Sequence, residues 1–204
     1  MSVRRLWPLL GLAVVAAALA GCGGGGKSSD DGMVQNADAP PASPYKGFLL
    51  KPGSAAPSFA LRNQAGATVG PQDDRGRWLA VTFLYTHCPD VCPLIADNLR
   101  AVLAKKPSMR VIAVSVDPKG DTHAAIEKFI AKHRLPSSFS YVGGTRAQLS
   151  PVWKKYNIAA QPGPNGVISH SSYTVLIDPM GRERVLYDAQ ITAAAVLHDL
   201  KLLS

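Results

Sequence analysis

The chain has 204 residues, of which 47% are hydrophobic and 18% are charged, and its formal net charge is +8. This composition is typical of a folded globular protein and excludes a chain that is disordered throughout. The basic residues are scattered rather than clustered with aromatic residues, which argues against nucleic-acid binding.

The N-terminal part of the chain has the pattern of an export signal. In residues 1–21, Arg4 and Arg5 precede the apolar run Leu9–Ala20, which is too short to span a membrane comfortably. The residues Leu19-Ala20-Gly21-Cys22 resemble the lipobox of bacterial lipoproteins, in which the cysteine is lipidated and becomes the new N-terminus. This resemblance predicts a lipid on Cys22 that anchors the protein at the extracytoplasmic face of the bacterial cytoplasmic membrane. Residues 22–44 are rich in Gly, Ser, Asp, Ala and Pro and are predicted to be a flexible tether.

Residues 45–204 form the predicted folded domain, in which strands and helices alternate. Strands are predicted at Pro57–Leu61, Trp78–Tyr85, Met109–Val116, Phe139–Val142, Tyr173–Ile177 and Glu183–Tyr187, the last two forming a hairpin. Helices are predicted from Cys92 onward and at Thr122–His133, Gln148–Tyr156 and Thr192–Leu202, and a loop is predicted at Ala159–Ser169. This order predicts an α/β fold with a central mixed sheet and helices on both faces.

Two of the three cysteines, Cys88 and Cys92, stand where the predicted strand Trp78–Tyr85 passes into a helix. A helix start presents free backbone N–H groups and a positive dipole end, which favour thiolate over thiol. A cysteine pair at the first strand-to-helix junction is the thioredoxin-like arrangement. A purely structural disulfide is disfavoured, because it would close too small a loop to add much stability.

The spacing of the pair leaves two kinds of sulfur chemistry open. Three residues separate Cys88 from Cys92, whereas thioredoxin-type oxidoreductases have two. The pair is therefore predicted to be redox-active and able to form a disulfide, and the same spacing allows both sulfurs to chelate one soft metal ion.

A metal site with two sulfurs needs a further ligand, and histidine is the obvious candidate. His123, His133 and His198 lie in predicted helices among charged residues and are expected at the surface, and strand alternation is expected to point His87 away from the sulfurs. His170 differs, because it precedes the strand Tyr173–Ile177, which a thioredoxin-like sheet places beside the strand leading to the cysteines.

Two thiolates and one imidazole suit copper better than zinc. Cu(I) accepts this set at low coordination number, and Cu(II) would require a further oxygen or water ligand. Asp90 is a candidate auxiliary ligand, or else a cap of the helix start. Zinc is disfavoured because a closed structural zinc site has four protein ligands. Movement of the predicted loop Ala159–Ser169 would bring His170 into and out of the site.

Three segments resemble the motifs of the Sco/SenC family, in the family's order. They are Cys88-Pro89-Asp90-Val91-Cys92-Pro93, then Ser115-Val116-Asp117-Pro118 with Asp121-Thr122, then His170-Ser171-Ser172 with Leu176-Ile177-Asp178-Pro179 and Gly181. The resemblance implies a thioredoxin-like fold and a role in delivering copper to the copper-accepting subunit of cytochrome c oxidase or to another copper protein. It assigns Cys88, Cys92 and His170 as the copper ligands. Asp117 and Asp121 are expected to be loop and helix-capping residues.

The sequence departs from the family pattern at two places, and neither is at a predicted ligand. His123 stands where the family often has proline, and Thr174-Val175 replaces the usual aromatic residue before Leu176.

These observations favour a membrane-tethered copper chaperone, and whether the protein is also an enzyme stays open. The alternative is a thiol–disulfide oxidoreductase that reduces the cysteines of the copper acceptor. A peroxiredoxin-like peroxide reduction by Cys88 is a distant third, since no activating arginine is evident near the motif.

Overall fold

A computed structural model of the protein describes residues 43–204, so the predicted signal segment, the lipidation site Cys22 and most of the predicted tether lie outside the described residues. The strands are β1 Phe48–Leu49, β2 Leu61–Arg62, β3 Thr68–Val69, β4 Leu79–Leu84, β5 Arg110–Ser115, β6 Phe139–Val142, β7 Ala160–Pro162, β8 Ile168–His170, β9 Thr174–Ile177 and β10 Glu183–Tyr187. The helices are α1 Val91–Lys105, α2 His123–Lys132, α3 Arg146–Lys155 and α4 Ala193–Leu203. Among the described residues, no helix has both the length and the apolar character needed to cross a bilayer.

The central sheet has six strands in the order β1-β10-β9-β4-β5-β6. Strands β4, β5 and β6 are parallel, whereas β9 runs antiparallel to β4, and β10 and β1 continue antiparallel beyond it. Every residue of β4 is buried, as expected for a strand covered on both faces. The predicted mixed sheet is confirmed, and the strand that follows His170 does lie beside β4.

Helices cover both faces of this sheet. The ring of Tyr141 on β6 packs against Phe129 of α2, and the ring of Phe83 on β4 packs against Tyr156 at the end of α3. The partners of Tyr141 and Phe83 on β5 are successive residues, so the two rings point to opposite faces. The expected α/β architecture is therefore confirmed.

Near the cysteine pair, the observed ends of the strand and the helix differ from the predicted ends by one or two residues. Strand β4 ends at Leu84, and α1 begins at Val91, so that Cys92 lies in the first turn of the helix. Helix α2 begins after Thr122, whose side chain accepts a hydrogen bond from Ala125 N at 3.2 Å. The predicted capping role therefore belongs to Thr122 and not to Asp121.

The expectations for the predicted loop Ala159–Ser169 and for His133 were also wrong. The segment predicted as a loop forms an antiparallel hairpin of β7 and β8, called the His170 hairpin below (residues 160–170). His133 is buried, with 8% of its surface exposed. Its ring packs against the ring of Phe129, with 4.4 Å between the ring centroids, and its Nδ1 lies 3.2 Å from Asp97 Oδ1 on α1. The helical pattern missed this contact because the partner belongs to another helix.

Candidate metal centre

The two cysteines of the motif lie together as free thiols at the junction of β4 and α1. Cys92, in the first turn of α1, is completely buried, whereas Cys88 retains 9% exposure at the end of the preceding loop. The Cys88 N–H donates to the Tyr85 carbonyl at 3.3 Å, which turns the chain toward the helix. The two sulfurs are connected by a hydrogen bond.

This hydrogen bond makes the two thiols chemically different. The Cys92 thiol donates to the Cys88 sulfur, which is the main reason that the pKa of Cys88 is lowered to about 5; burial opposes the shift, and the backbone N–H groups of Asp90 and Cys92 support it. The pKa of Cys92 is raised by the same hydrogen bond and by burial. At neutral pH, Cys88 is therefore a thiolate and Cys92 a protonated thiol that stabilises it.

His170 ends the His170 hairpin and lies near this pair. Its ring packs edge-on against Tyr85 with 5.8 Å between the ring centroids. Nδ1 is 3.1 Å from the Ser171 carbonyl oxygen and Nε2 is 3.4 Å from Ser172 Oγ. Burial lowers the pKa of His170, so the imidazole is neutral at neutral pH, with Nδ1–H donating to Ser171 and a lone pair on Nε2.

The three predicted copper ligands are not assembled into a metal-binding group. Among residues 43–204, no three His, Cys, Asp or Glu side chains are grouped closely enough to hold a metal ion. Cys88 and Cys92 are adjacent, whereas His170 is held by its own neighbours in sequence. A three-ligand site therefore requires His170 to leave Ser172 and approach the sulfurs.

Asp90, the candidate auxiliary ligand, is exposed and occupies the position before α1. Its side chain makes no capping hydrogen bond, so the predicted capping role was wrong. Its contribution to the pair comes from its backbone N–H, which is directed at the Cys88 sulfur.

A buried network that the sequence did not predict fixes the loop before Cys88. Asp121 accepts hydrogen bonds from Thr86 N at 2.8 Å, Ser115 Oγ at 2.6 Å and Tyr141 Oη at 2.9 Å. These partners come from the β4–α1 loop, β5 and β6, and their separation in sequence hides the network from local patterns. Burial raises the pKa of Asp121 despite these bonds.

His87 forms a second unpredicted contact, with Asp117 on the loop after β5. Its Nε2 lies 3.0 Å from Asp117 Oδ2, and its Nδ1 lies 3.0 Å from Thr86 Oγ1. A Cβ on Gly120 would come within 2.0 Å of His87 Nε2, so the glycine allows this pair to form. The contacts of the His87 ring with Asp117 and Thr86 are consistent with the expectation that His87 points away from the sulfurs.

A groove of about 430 Å³ opens beside His87. One wall is the His170 hairpin, through Ala160, Pro162 and Ile168, and the other is the loop after β5. Two exposed cations, Lys119 and Arg146, also line it. Neither the two cysteines nor His170 is part of its lining.

Comparisons with known proteins agree with this fold. The mitochondrial SCO1 homolog of Homo sapiens is 31% identical over 134 residues, which are 60% of this chain and 44% of that protein. The chain spans 44% to 60% of the length of the three mammalian relatives that it matches first.

Two solved structures extend the comparison. Copper-bound ScoI of Bradyrhizobium japonicum is 28% identical, with a TM-score of 0.61, and the match covers 73% of this chain and 99% of that one. A SCO1/SenC family lipoprotein of Bacillus anthracis is 26% identical, with a TM-score of 0.65, over 76% of this chain and 99% of that one. These likenesses confirm the expected thioredoxin-like fold. The family model described as SCO1/SenC matches residues 50–203, and the chain therefore belongs to the SCO1/SenC family.

Proposed function

We propose that this protein binds copper through Cys88, Cys92 and His170 and delivers it to the copper-accepting subunit of cytochrome c oxidase during assembly. A lipid on Cys22 holds it at the extracytoplasmic face of the cytoplasmic membrane. The observation that carries the proposal is the pair of free thiols that share one proton beside a neutral imidazole.

The thiol pair suits Cu(I) in its charge and its softness. Thiolates are the ligands that a soft ion prefers, and Cys88 is already deprotonated at neutral pH. Copper replaces the proton that Cys92 donates to Cys88, and this proton is released to solvent as both sulfurs bind the metal. Copper-bound ScoI of Bradyrhizobium japonicum, with which this chain shares 28% identity, supports the assignment.

Movement of His170 would allow binding and release without unfolding the site. Its Nε2 lone pair faces only the Ser172 hydroxyl, at 3.4 Å, and a long hydrogen bond of this kind is weak. Rotation of the imidazole away from Ser172, together with its approach to the two sulfurs, would complete a three-ligand site. The reverse rotation lowers the number of ligands to two and leaves the copper open to the thiolates or imidazoles of an acceptor.

The membrane anchor is supported by sequence and by likeness. Cys22 follows the residues that resemble a lipobox, and the similar Bacillus anthracis protein is a lipoprotein. The groove beside His87, with Lys119 and Arg146 in its lining, supports docking of an acceptor next to the loop that leads to Cys88.

The test is a titration of the reduced, anaerobic protein with Cu(I) against a competing chelator. The full chain carries Cys22→Ser in every sample, so that Cys88 and Cys92 are its only thiols. We expect one tightly bound copper, and His170→Ala should weaken binding at least tenfold, or about 1.4 kcal/mol. Cys92→Ser should weaken it further, because it removes a sulfur ligand.

His123→Ala is the matched control, because His123 is an exposed histidine at the start of α2. It should leave the copper affinity unchanged. Weak copper binding that is indifferent to His170 would exclude the chaperone function, particularly if the protein still reduces insulin or the disulfide of an acceptor.

The second candidate function is thiol–disulfide exchange, which the asymmetry of the pair favours. The Cys88 thiolate attacks a disulfide of the acceptor and forms a mixed disulfide, releasing one acceptor thiolate. Cys92, after losing its proton, attacks the Cys88 sulfur and releases the second acceptor thiolate, so that two electrons pass from the protein to the acceptor. One reduced molecule would thus reduce one acceptor disulfide, independently of His170.

A further inference from the structure

The first strand of the domain presents two exposed apolar side chains in succession. Phe48 is 70% exposed and Leu49 is 48% exposed, although both belong to β1. Among residues 43–204, the other exposed large hydrophobic side chains stand singly, as is normal on a protein surface, and they are Leu94, Val167, Met180 and Leu202. The pair of apolar neighbours therefore distinguishes β1 from the rest of the described surface.

Both side chains are exposed because β1 is the outermost strand of the sheet. It pairs with β10 along one side, where Phe48 lies opposite Leu186 and Leu49 lies opposite Val185. Successive strand residues point to opposite faces, so this edge of the sheet carries one apolar side chain on each face. Residues 46–51, with these two side chains at their centre, are called the edge surface below.

The edge surface combines apolar side chains with positive charge. Lys46 and Lys51 are both exposed, and they stand on either side of β1 in the sequence. One acidic residue, Asp188, opposes them, because it lines a small groove together with Lys46 and Phe48. Apolar side chains between two lysines suit the boundary of an anionic bilayer, where the apolar groups enter among the lipid chains and the ammonium groups stay at the phosphates.

The size of the edge surface favours a bilayer over a protein partner. Two apolar side chains cannot bury the roughly 1,200 Å² that a specific protein interface requires. A strand of two residues also offers few backbone hydrogen bonds to an added strand. A weak contact is sufficient at a bilayer to which the protein is already anchored, because a short flexible linker gives an effective concentration in the millimolar range.

The predicted tether enters the domain at this edge. Residues 22–44 separate the proposed lipid on Cys22 from the domain, and a flexible chain of that length reaches about 25 Å. Lys46 N and Gly47 N donate to the buried carboxylate of Asp199, at 2.8 Å and 3.0 Å, so β1 begins at a fixed point of the domain. The edge surface is therefore the part of the domain that the tether brings first to the bilayer.

We propose that the edge surface is a contact site for an anionic phospholipid bilayer, in which Phe48 and Leu49 enter the bilayer boundary and Lys46 and Lys51 bind headgroup phosphates. The proposal rests on the membrane anchor of the proposed function. In the sheet, β1 lies three strands from β4, which is a distance of about 14 Å. Contact through this edge thus holds the loop that carries Cys88 at a fixed height above the membrane.

The test compares two exposed leucines in the protein purified from the membranes of the cells that make it. The protein is placed in phosphatidylcholine–phosphatidylglycerol discs that contain a spin-labelled lipid, and the leucine methyl signals are recorded by NMR. We expect the paramagnetic broadening of Leu49 to exceed that of Leu94 at least fivefold, although Leu94 on α1 is the more exposed residue, at 59%. Equal broadening of the two leucines, or no broadening of Leu49, would overturn the proposal.

Substitutions separate the apolar part of the edge surface from its charged part. Phe48→Ser should lower the broadening of Leu49 at least threefold, whereas Met180→Ser, at another exposed apolar residue, should leave it unchanged. Lys46→Gln combined with Lys51→Gln should lower it at least twofold in the mixed discs and should not change it in pure phosphatidylcholine. Equal effects of the two serine substitutions, or an unchanged signal in the glutamine variant, would contradict a contact with anionic lipid.

Two further measurements distinguish the remaining outcomes. A dimer in solution that Phe48→Ser dissociates would assign the edge surface to a second copy of the chain and overturn the membrane contact. Mass spectrometry of the same sample shows whether Cys22 carries a lipid. If the lipid is present and Leu49 is not selectively broadened, the edge surface fails while the anchor stands. If Leu49 is selectively broadened in protein without the lipid, the anchor fails while the edge surface stands.

Discussion

Cys88 and Cys92 differ in exposure and in charge, although both belong to one short motif. Cys88 is buried but retains 9% exposure, and its thiolate accepts hydrogen bonds, whereas Cys92 is completely enclosed in the first turn of α1. The sequence predicts that a helix start favours thiolates, but it does not predict which sulfur receives the proton. That choice follows from the hydrogen bond between the two sulfurs and from the greater burial of Cys92. Both depend on the packing of α1 against the sheet.

This difference predicts selective alkylation of the reduced protein by iodoacetamide. The rate at Cys88 should rise with pH through a midpoint near 5 and level off by about pH 7, because its thiolate predominates above its pKa of about 5. Cys92 should react at least 100-fold more slowly at neutral pH, since the hydrogen bond to Cys88 and burial both raise its pKa.

Cys92→Ala provides the internal control for this experiment. It removes the donor that contributes most to the lowered pKa of Cys88, so the alkylation midpoint should move upward toward that of an ordinary thiol, about 8.5. Equal rates at the two cysteines, or a midpoint near 8.5 in the parent protein, would contradict the assignment of the thiolate.

At the scale of elements, the turn between β9 and β10 depends on one buried carboxylate. Asp178 Oδ1 accepts from Met180 N at 2.9 Å and from Arg182 N at 3.0 Å, and Oδ2 accepts from Arg182 Nε at 2.8 Å and from Arg184 Nη1 at 3.2 Å. Burial alone would raise the pKa of Asp178, but the arginine and backbone donors outweigh it and lower the pKa. The hairpin that carries the strand beside β4 is thus fixed by an ionised aspartate.

Asp178→Asn should lower the free energy of unfolding by about 2 kcal/mol, because it removes the charge that the two arginines and two backbone N–H groups surround. The stabilisation by Asp178 is complete above its unfolded pKa of about 3.9 and is lost as the pH falls through the lower folded value. Urea unfolding between pH 3 and 7 measures both effects. Asp188→Asn, at an exposed aspartate after β10, should change little; a loss of similar size there would contradict the role of the Asp178 charge.

The sequence predicts the hairpin of β9 and β10 better than it predicts the His170 hairpin. The residues Asp178-Pro179-Met180-Gly181 carry standard turn chemistry between two β-rich segments. The segment from Gln161 to Gly166 contains two prolines and two glycines and is therefore predicted as a loop. Strand β7 of this segment can still pair with β8, because Pro162 lies opposite Ile168 at a position where the two residues exchange no backbone hydrogen bonds. The missing N–H of the proline therefore costs nothing there. Contacts such as Tyr85 with Ile168, 83 residues apart, leave no local signal.

For the whole molecule, Asp199 connects the start of the folded domain to its last helix. It is completely buried on α4, and it accepts from Lys46 N at 2.8 Å, Gly47 N at 3.0 Å and Tyr187 Oη at 2.9 Å. Gly47 permits the close approach, because a Cβ there would lie 2.4 Å from the Val185 side chain. The point at which the predicted tether meets the domain is therefore hydrogen-bonded to a buried carboxylate of the last helix.

This contact makes the predicted domain boundary at Tyr45 testable by truncation. A chain that begins at Tyr45 retains both backbone donors and should unfold in urea with the same free energy as the full chain. A chain that begins at Phe48 leaves the buried carboxylate without two of its donors and should lose about 2–4 kcal/mol. In an Asp199→Ala background the same truncation should cost much less, because residues in contact are not additive. Equal costs in the two backgrounds would show that residues 45–47 stabilise the domain by contacts other than Asp199.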